Sequence, residues 1–421
     1  MKRVQSVQVL MDKFYSFLED VIGISRPWRI VSAKFDGVDT VDIDLEYVKS
    51  QRPKAPDCPV CGSRETAYYD MVEKSWRHTD MCDQICMIHG MIPRIQCKGC
   101  GKVSRIKVPW SAESINKYTD SFEMKVVRLS KEMPVSSVCR ELRLDDCTVW
   151  TILDRYVEKC MSKQDLSYLH TYYVDEKAIQ KGRVYLSSFL DQNHNVVFVG
   201  KDNTSDTVTD FRKHLEAHNG CAGNVRHISM DMGKGYILGA EQNFPKAKMT
   251  FDRFHVAEHA TEAVNDTRKR EYAMLIEAED HRARELKGQR YLFIKNYKNL
   301  DDERQTKVRD LLKMFPDLSR VYVFKESLRA VWEMESKYDA QNYLYRWIEE
   351  AKETGIKELL KLVNLVESHA EGILNWYDSR ISNGVMEGFN SVLQAFKGRA
   401  RGYRSFERYR TMIYLRSSGL C

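Results

Sequence analysis

The sequence predicts a multidomain α/β protein, with an α/β core, a helical insertion and two small modules in front. Three observations carry that expectation. Five short apolar runs between residues 171 and 252 are separated by turn signals and helical patterns, as in a layered sheet. The stretch from about 253 to 378 reads as almost entirely helical. Six of the eleven cysteines fall between Cys58 and Cys100, ahead of a set of short helices. At 421 residues there is room for two to four domains. A chain 43% hydrophobic and 30% charged is ordinary for a globular protein, which excludes a disordered one.

Net charge is only +6, so its distribution says more than its sum. Met91 to Pro109 holds five Lys/Arg and no acid, and Lys397 to Arg410 holds six and one. Such patches are the footprint of a polyanion partner. There is no run long enough for a transmembrane helix, and no signal peptide is expected after Met1. Cysteines in a cytoplasmic chain point to thiols or metal rather than disulfides.

Residues 1–50 open with an amphipathic helix, Val9 to Ile22. Strands at Trp28–Val31 and Val38–Ile43 come next, joined by an Asp36-Gly37 turn. No chemistry is visible there, and the segment reads as a packing or end-recognition module. Residues 51–110 carry Cys58-Pro59-Val60-Cys61 and Cys97-Lys98-Gly99-Cys100. Two such knuckles fit one tetrahedral zinc, closed by four thiolates and therefore structural. His78, Cys82, Cys86 and His89 lie between them and offer alternative ligands. Lys102, Arg105 and Lys107, just beyond, are candidate phosphate contacts.

Residues 111–165 read as three helices. Met124, Val127 and Leu129 mark the first, and Pro134 opens the second with Val138, Cys139 and Leu142. Asp145 to Trp150 begins a third that runs to about Val157. A short helix, a tight turn and a helix opening with Asp and Thr form a helix-turn-helix pattern, with Thr148 and Trp150 as candidate DNA contacts.

Residues 166–256 are expected to form the first part of the core. Thr171 to Ile179 reads as a buried strand that contains Asp175-Glu176. An acid inside such a run must be paired, protonated or bound to metal. Val184–Leu190 and Val196–Gly200 are two further strands, and Ser205–His218 is a helix. The strand His227–Asp231, the helix Tyr236–Asn243 and the strand Lys248–Asp252 complete the unit. A three-strand meander, then helix, strand, helix, strand, is the order of an RNase H-like fold. Asp231 and Asp252 both close strands, where open α/β sheets collect ligands, so either can meet Asp175. Residues 257–378 form the helical insertion, in which Trp332, Trp347 and Trp376 are expected as core residues. Residues 379–421 contain a helix with Met386, Phe389, Leu393 and Phe396 on one face and Asn383, Glu387, Asn390 and Gln394 beside it. A basic tail comes last, with Lys397, Arg399, Arg401 and Arg404 as candidate backbone contacts.

These strings bring a family into view. The double knuckle, Val174-Asp175-Glu176, Ser229-Met230-Asp231-Met232, Phe251-Asp252-Arg253-Phe254-His255 and Asn383-Gly384-Val385-Met386-Glu387-Gly388-Phe389-Asn390 resemble those of bacterial insertion-sequence transposases of the ISL-three family. The resemblance spans nearly the whole chain. It implies an RNase H-like catalytic domain with two Mg²⁺ ions, Mn²⁺ substituting, on the triad Asp175, Asp231 and Glu387. It implies supporting roles for Asp252, His255 and Asn390. It also implies double-stranded DNA as partner, both transposon ends and target, with a homodimer or higher oligomer on the DNA in the bacterial nucleoid. A DNA-binding regulator derived from such an enzyme, or a structure-selective nuclease of the same fold, are the competing expectations.

Overall fold

The computed structural model describes residues 2–111, 117–180, 184–381, 384–403, 405–417 and 419, and the chain divides into two compact units, 1–156 and 157–421. Among the described residues, no helix is long and apolar enough to cross a membrane.

The first unit starts with α1 (Lys2–Ile22) and a hairpin of β1 (Trp28–Phe35) and β2 (Thr40–Tyr47). Asp36 closes that turn by accepting the backbone N–H groups of Val38, Asp39 and Thr40. Both strands run further than their apolar runs suggest. Then comes a long hairpin that the sequence does not announce, β3 (Thr66–Met81) and β4 (Gln84–Cys97), with a short β5 (Val103–Arg105) on its edge. The sheet runs β1-β2-β4-β3, with β2 and β4 parallel. Its core is built on tryptophans: Trp110 meets Trp28 and Trp76 edge to face, with ring centres 5.2 and 5.3 Å apart. Leu18 and Ile22 seat α1 on this core.

Three helices complete the unit, α2 (Asp120–Glu132), α3 (Val135–Leu142) and α4 (Asp146–Met161). Thr119 caps α2 by accepting the Phe122 N–H, and it also hydrogen-bonds buried His78 at 2.9 Å. Arg143 makes the tight α3–α4 turn in a left-handed conformation, φ 52°. Its guanidinium donates to Asp39 at 3.4 Å and to the Asp83 carbonyl at 3.1 Å, tying the helices to the sheet.

The second unit is a mixed sheet under helices. β6 (Thr171–Gln180), β7 (Val184–Asp191) and β8 (Val196–Lys201) form an antiparallel meander. α5 (Ser205–Ala217), β9 (His227–Met230), α6 (Lys234–Asn243) and β10 (Lys248–Phe251) extend it, giving the order β10-β9-β6-β7-β8 with β6, β9 and β10 parallel. Tyr172, Phe189, Phe211 and Phe244 pack between sheet and helices, Phe189 stacking on Phe211 at 4.4 Å. The predicted strands and helices are present in the predicted order.

The insertion is a helical body with its own core. It comprises α7 (Arg253–Glu277), α8 (Ala283–Leu286), α9 (Arg290–Ile294), α10 (Asp302–Met314), α11 (Pro316–Leu328), α12 (Lys337–Glu353), α13 (Lys357–Ser368), α14 (Ala370–Leu374) and α15 (Trp376–Ser379). Trp347 is in that core, donating to the Phe324 carbonyl, while Trp332 and Trp376 are half-buried. The chain ends in α16 (Gly384–Arg399) and α17 (Phe406–Ser417), whose Tyr414 hydroxyl accepts the Val199 N–H of β8 at 2.8 Å.

Insertion and sheet meet where Gly372 of α14 lies on Phe251 of β10. A Cβ at Gly372 would stand 2.3 Å from the Phe251 ring. Gly372→Ala should therefore cost about 1–3 kcal/mol, because overpacking forces the ring to shift. Gly388→Ala, where a Cβ meets nothing within 4 Å, should instead stabilise by about 0.4–1 kcal/mol through the unfolded chain. Thermal denaturation of the two variants should move in opposite directions.

Candidate functional site

The metal-binding constellation in the first unit is complete. Cys58 Sγ lies 3.7 Å from Cys100 Sγ, Cys61 Sγ lies 3.6 Å from Cys97 Sγ, and all four sulfurs fall within 4.8 Å of one another. Four thiolates about 2.3 Å from one tetrahedral ion would sit about 3.8 Å apart, so the donor set fits zinc. Pairing of Thr66 with Cys97 across β3 and β4 brings the knuckles together. Each knuckle then turns on a glycine, Gly62 at φ 72° and Gly101 at φ 71°, a left-handed geometry that suits glycine. Backbone N–H groups of Cys61 and Val60 lower the Cys58 thiol, and that of Cys100 brings Cys97 down to about 6, while the neighbouring sulfurs of Cys97 and Cys100 hold the Cys61 thiol up at about 12, so the cluster without metal shares its protons unevenly.

The alternative ligands are occupied elsewhere. His78 is buried on Thr119, His89 bridges Ser75 and Asp42, and Cys86 is in the core with its thiol pushed up to about 12 by burial. Cys82 sits exposed at the hairpin tip.

Lys102, Arg105 and Lys107 all face solvent. The hairpin adds Lys74, which the sequence did not single out. Burial, with Arg105 nearby, brings its ammonium down to about 8. In the helix-turn-helix, Thr148 is half-buried and its hydroxyl donates to Asp145. Trp150 corrects an expectation: it is buried, with its indole N–H donated to Asp146, because helix periodicity puts it with Val149 and Leu153 in the core. Arg140 is the exposed basic residue of α3.

In the second unit, register decides the geometry. β6 and β9 pair Tyr173 with Ser229, so the same register two residues on sets Asp175 level with Asp231. β10 and β9 pair Phe251 with Met230, which sets Asp252 level with both. Asp231 lies just past β9, where its Oδ1 accepts the Gly233 N–H at 2.9 Å. Asp252 is buried and caps α7 by accepting the Phe254 N–H at 3.0 Å. His255, one turn on, is 3.9 Å from Asp252 and 3.6 Å from Glu258.

Asp175 is held from two sides. Its Oδ1 accepts the Glu176 N–H at 2.8 Å, and its Oδ2 accepts the Asn390 side-chain amide of α16 at 2.6 Å. Burial pushes its carboxyl up to about 6, and the charge of Asp231 adds to the rise. Burial also raises Glu176, which accepts a hydrogen bond from Asn203. The sequence assigns Glu176 no role, although its place beside Asp175 is a signal.

Met386, Leu393 and Phe396 are buried and seat α16, while Phe389 is only half-buried. Glu387 is one turn before Asn390 and exposed, lining a surface depression with Lys177, Asn390 and Gln394. Among the described residues, the four cysteines are the group gathered for a metal; Asp175, Asp231 and Glu387 are not drawn that close. In the tail, Lys397 is half-buried and donates to the Ala178 carbonyl, while Arg399 and Arg401 are exposed. Asn383 and Arg404 lie outside the described residues.

Known proteins resolve the class. Residues 173–413, more than half of the chain, match a family model described as a transposase. The chain belongs to the transposase family ISL3: residues 116–157 match the helix-turn-helix domain of that family, and residues 54–100 match the zinc-finger of transposases IS204/IS1001/IS1096/IS1165. It is 24% identical over 351 residues to the transposase for insertion sequence element IS1001 of Bordetella parapertussis, covering 83% of this chain and 86% of that one. It is 25% identical over 411 residues to the transposase for insertion sequence element IS1557 of Mycobacterium tuberculosis, covering 91% of each.

Both sites can be probed without DNA. Purified protein should carry about one equivalent of zinc, and Cys97→Ser should lose it along with melting stability in the first unit. For Asp175, the folded value near 6 lies above the ordinary 3.8, so the fold favours the protonated form. Its contribution is fully present below about pH 4 and is lost as pH rises through about 6. Without added divalent cation, Asp175→Asn should therefore melt higher than the parent above about pH 7. The gain should be about 1–2 kcal/mol, since two pH units set a ceiling near ~3 and one hydrogen bond is lost. The gap should close toward pH ~4.

Proposed function

We propose that this transposase cuts the ends of its insertion sequence and joins them to target DNA on a site made of Asp175, Asp231 and Glu387. The hydrogen bond from Asn390 to Asp175 carries this reading. It brings α16 to Asp175 on β6, level with Asp231 just past the end of β9, with Glu387 one turn away on the same helix. The sheet order, a meander extended by two parallel strands, supports an RNase H-like core.

The donor set suits hard divalent cations such as Mg²⁺ or Mn²⁺: carboxylate oxygens, excess negative charge, and one acid raised by burial beside another. When bound, two such ions would activate water or a DNA 3′-hydroxyl and stabilise the leaving oxygen of an in-line phosphoryl displacement. The protein's own part is positioning. The Glu176 N–H and the Asn390 amide hold both oxygens of Asp175, and the Gly233 N–H holds Asp231. Asp252 fixes the start of α7 on the sheet, and His255 stands over that cap.

The helix-turn-helix of the family implies DNA binding. In our reading it selects the terminal inverted repeats together with the zinc module and the basic residues Lys74, Lys102, Arg105 and Lys107. Arg399 and Arg401 hold the backbone near the cut. In our reading two or more copies of the chain hold the two ends together.

Glu387→Gln keeps size and helix propensity and removes charge. It should retain end binding by gel shift and lose Mg²⁺-dependent cleavage of a labelled end duplex by roughly three orders of magnitude or more. Asp175→Asn and Asp231→Asn should match it, and double variants should be scarcely worse, because the acids act as one unit. Near-normal cleavage by Glu387→Gln would remove it from the triad. Asp378 is a poor replacement, since Lys248 and Lys337 both hold it at 2.8 Å.

A further inference from the structure

Helix α1 has two apolar faces. Leu18 and Ile22 are buried on the first sheet. Leu10, Phe14, Phe17 and Val21 form a second stripe and are 66%, 50%, 61% and 65% exposed. Single exposed apolar side chains are normal, but four in one stripe, two of them phenylalanine, mark an interaction surface. Their spacing of four, three and four residues is that of a coiled-coil seam. At about 100° per residue the stripe lies about a quarter turn from the buried face, so α1 can keep its own core and still pair.

We propose that this stripe docks on the same stripe of a second copy of the chain, antiparallel, making α1 a dimerisation helix. The stripe is self-complementary about a twofold axis between Tyr15 and Ser16. There Phe14 meets the partner's Phe17, and Leu10 meets the partner's Val21, giving two aromatic layers inside two aliphatic ones. The flanking charges fix the direction. Lys13 and Asp20 are both exposed, and neither forms an ion pair among the described residues. Antiparallel pairing sets Lys13 beside the partner's Asp20, and does so twice. Parallel pairing in register would oppose Lys13 to the partner's Leu18 and leave Asp20 without a cation. The stripe is about 17 Å long at about 1.5 Å per residue, a small interface that suits a reversible pairing rather than an obligate one. It rests on α1 alone and not on the catalytic reading.

The test uses the full-length protein without DNA, by size exclusion with light scattering at micromolar concentration. The parent should show twice the 49.3 kDa of one chain. Phe17→Glu should show the single-chain mass with unchanged circular dichroism and melting. Asp20→Lys should shift the protein toward monomer, because Lys13 then faces a like charge, and Lys13→Glu/Asp20→Lys should restore the dimer. A parent that stays monomeric through the micromolar range overturns the proposal, as does a folded Phe17→Glu that stays dimeric. Should Phe17→Glu fail to fold, the charge pair decides. An unchanged mass for Asp20→Lys, or no recovery in the double variant, overturns the antiparallel pairing.

Discussion

A carboxylate set in the middle of a sheet strand has to be compensated, and the second unit is arranged around one. The ladder with β9 sets the level of Asp175, and the same register continued two residues sets Asp231, just past β9, level with it. Two neutral donors, the Glu176 N–H and the Asn390 amide, satisfy its oxygens without cancelling its charge. Protonation or a cation is what remains, and burial, with Asp231 nearby, pushes its carboxyl up to about 6. The site is unfinished in its electrostatics, and that is the physical content of calling it a candidate for metal-dependent chemistry.

Asn390 stands 215 residues from Asp175 in sequence, so the contact depends on how the chain returns after the insertion. The insertion leaves from β10 and comes back to β10. It leaves through Asp252, whose side chain caps α7. It returns through Asn375, which donates to the Met249 carbonyl at 3.0 Å, and through Asp378, which pairs with Lys248. Gly372 lets the returning helix lie directly on Phe251. With both ends fixed to one edge strand, the large helical body is a closed excursion. α16 can then emerge beside the sheet whatever the insertion does in between.

Much of this is legible in the residues. The knuckle spacing names the four cysteines whose sulfurs the fold gathers, and five short apolar runs give the sheet its five strands. The features that escape are equally physical. The hairpin of β3 and β4 is hidden because the outward positions of β4 are themselves apolar: Ile85, Met87 and Met91 alternate with buried Cys86, Ile88, Gly90 and Ile92, so the in-out pattern does not show as polar against apolar. Pro93 also argues against a strand, yet it sits opposite a bulge between Tyr68 and Met71 that absorbs its missing donor. Trp150 resembles a DNA contact because it stands just after Thr148, whereas the helix turns it inward. Asp252 ends a strand like Asp231, and only the next few residues separate the two. A helix starting at Arg253 takes the Asp252 carboxylate as a cap, while Met232 and Gly233 stand between Asp231 and the start of α6.

The two candidate metal sites differ in chemistry as well as place. Four thiolates close the first, leaving no position for a substrate, so its ion can only hold the knuckles together. Carboxylates make the second, and Glu387 remains at the surface, so that site stays open on one side. Soft sulfur ligands do not favour Mg²⁺, and carboxylates that keep their waters suit it. The two donor sets therefore suit different ions. Each also lies in a compact unit with its own hydrophobic core, so an emptied zinc site should unfold one unit without emptying the other.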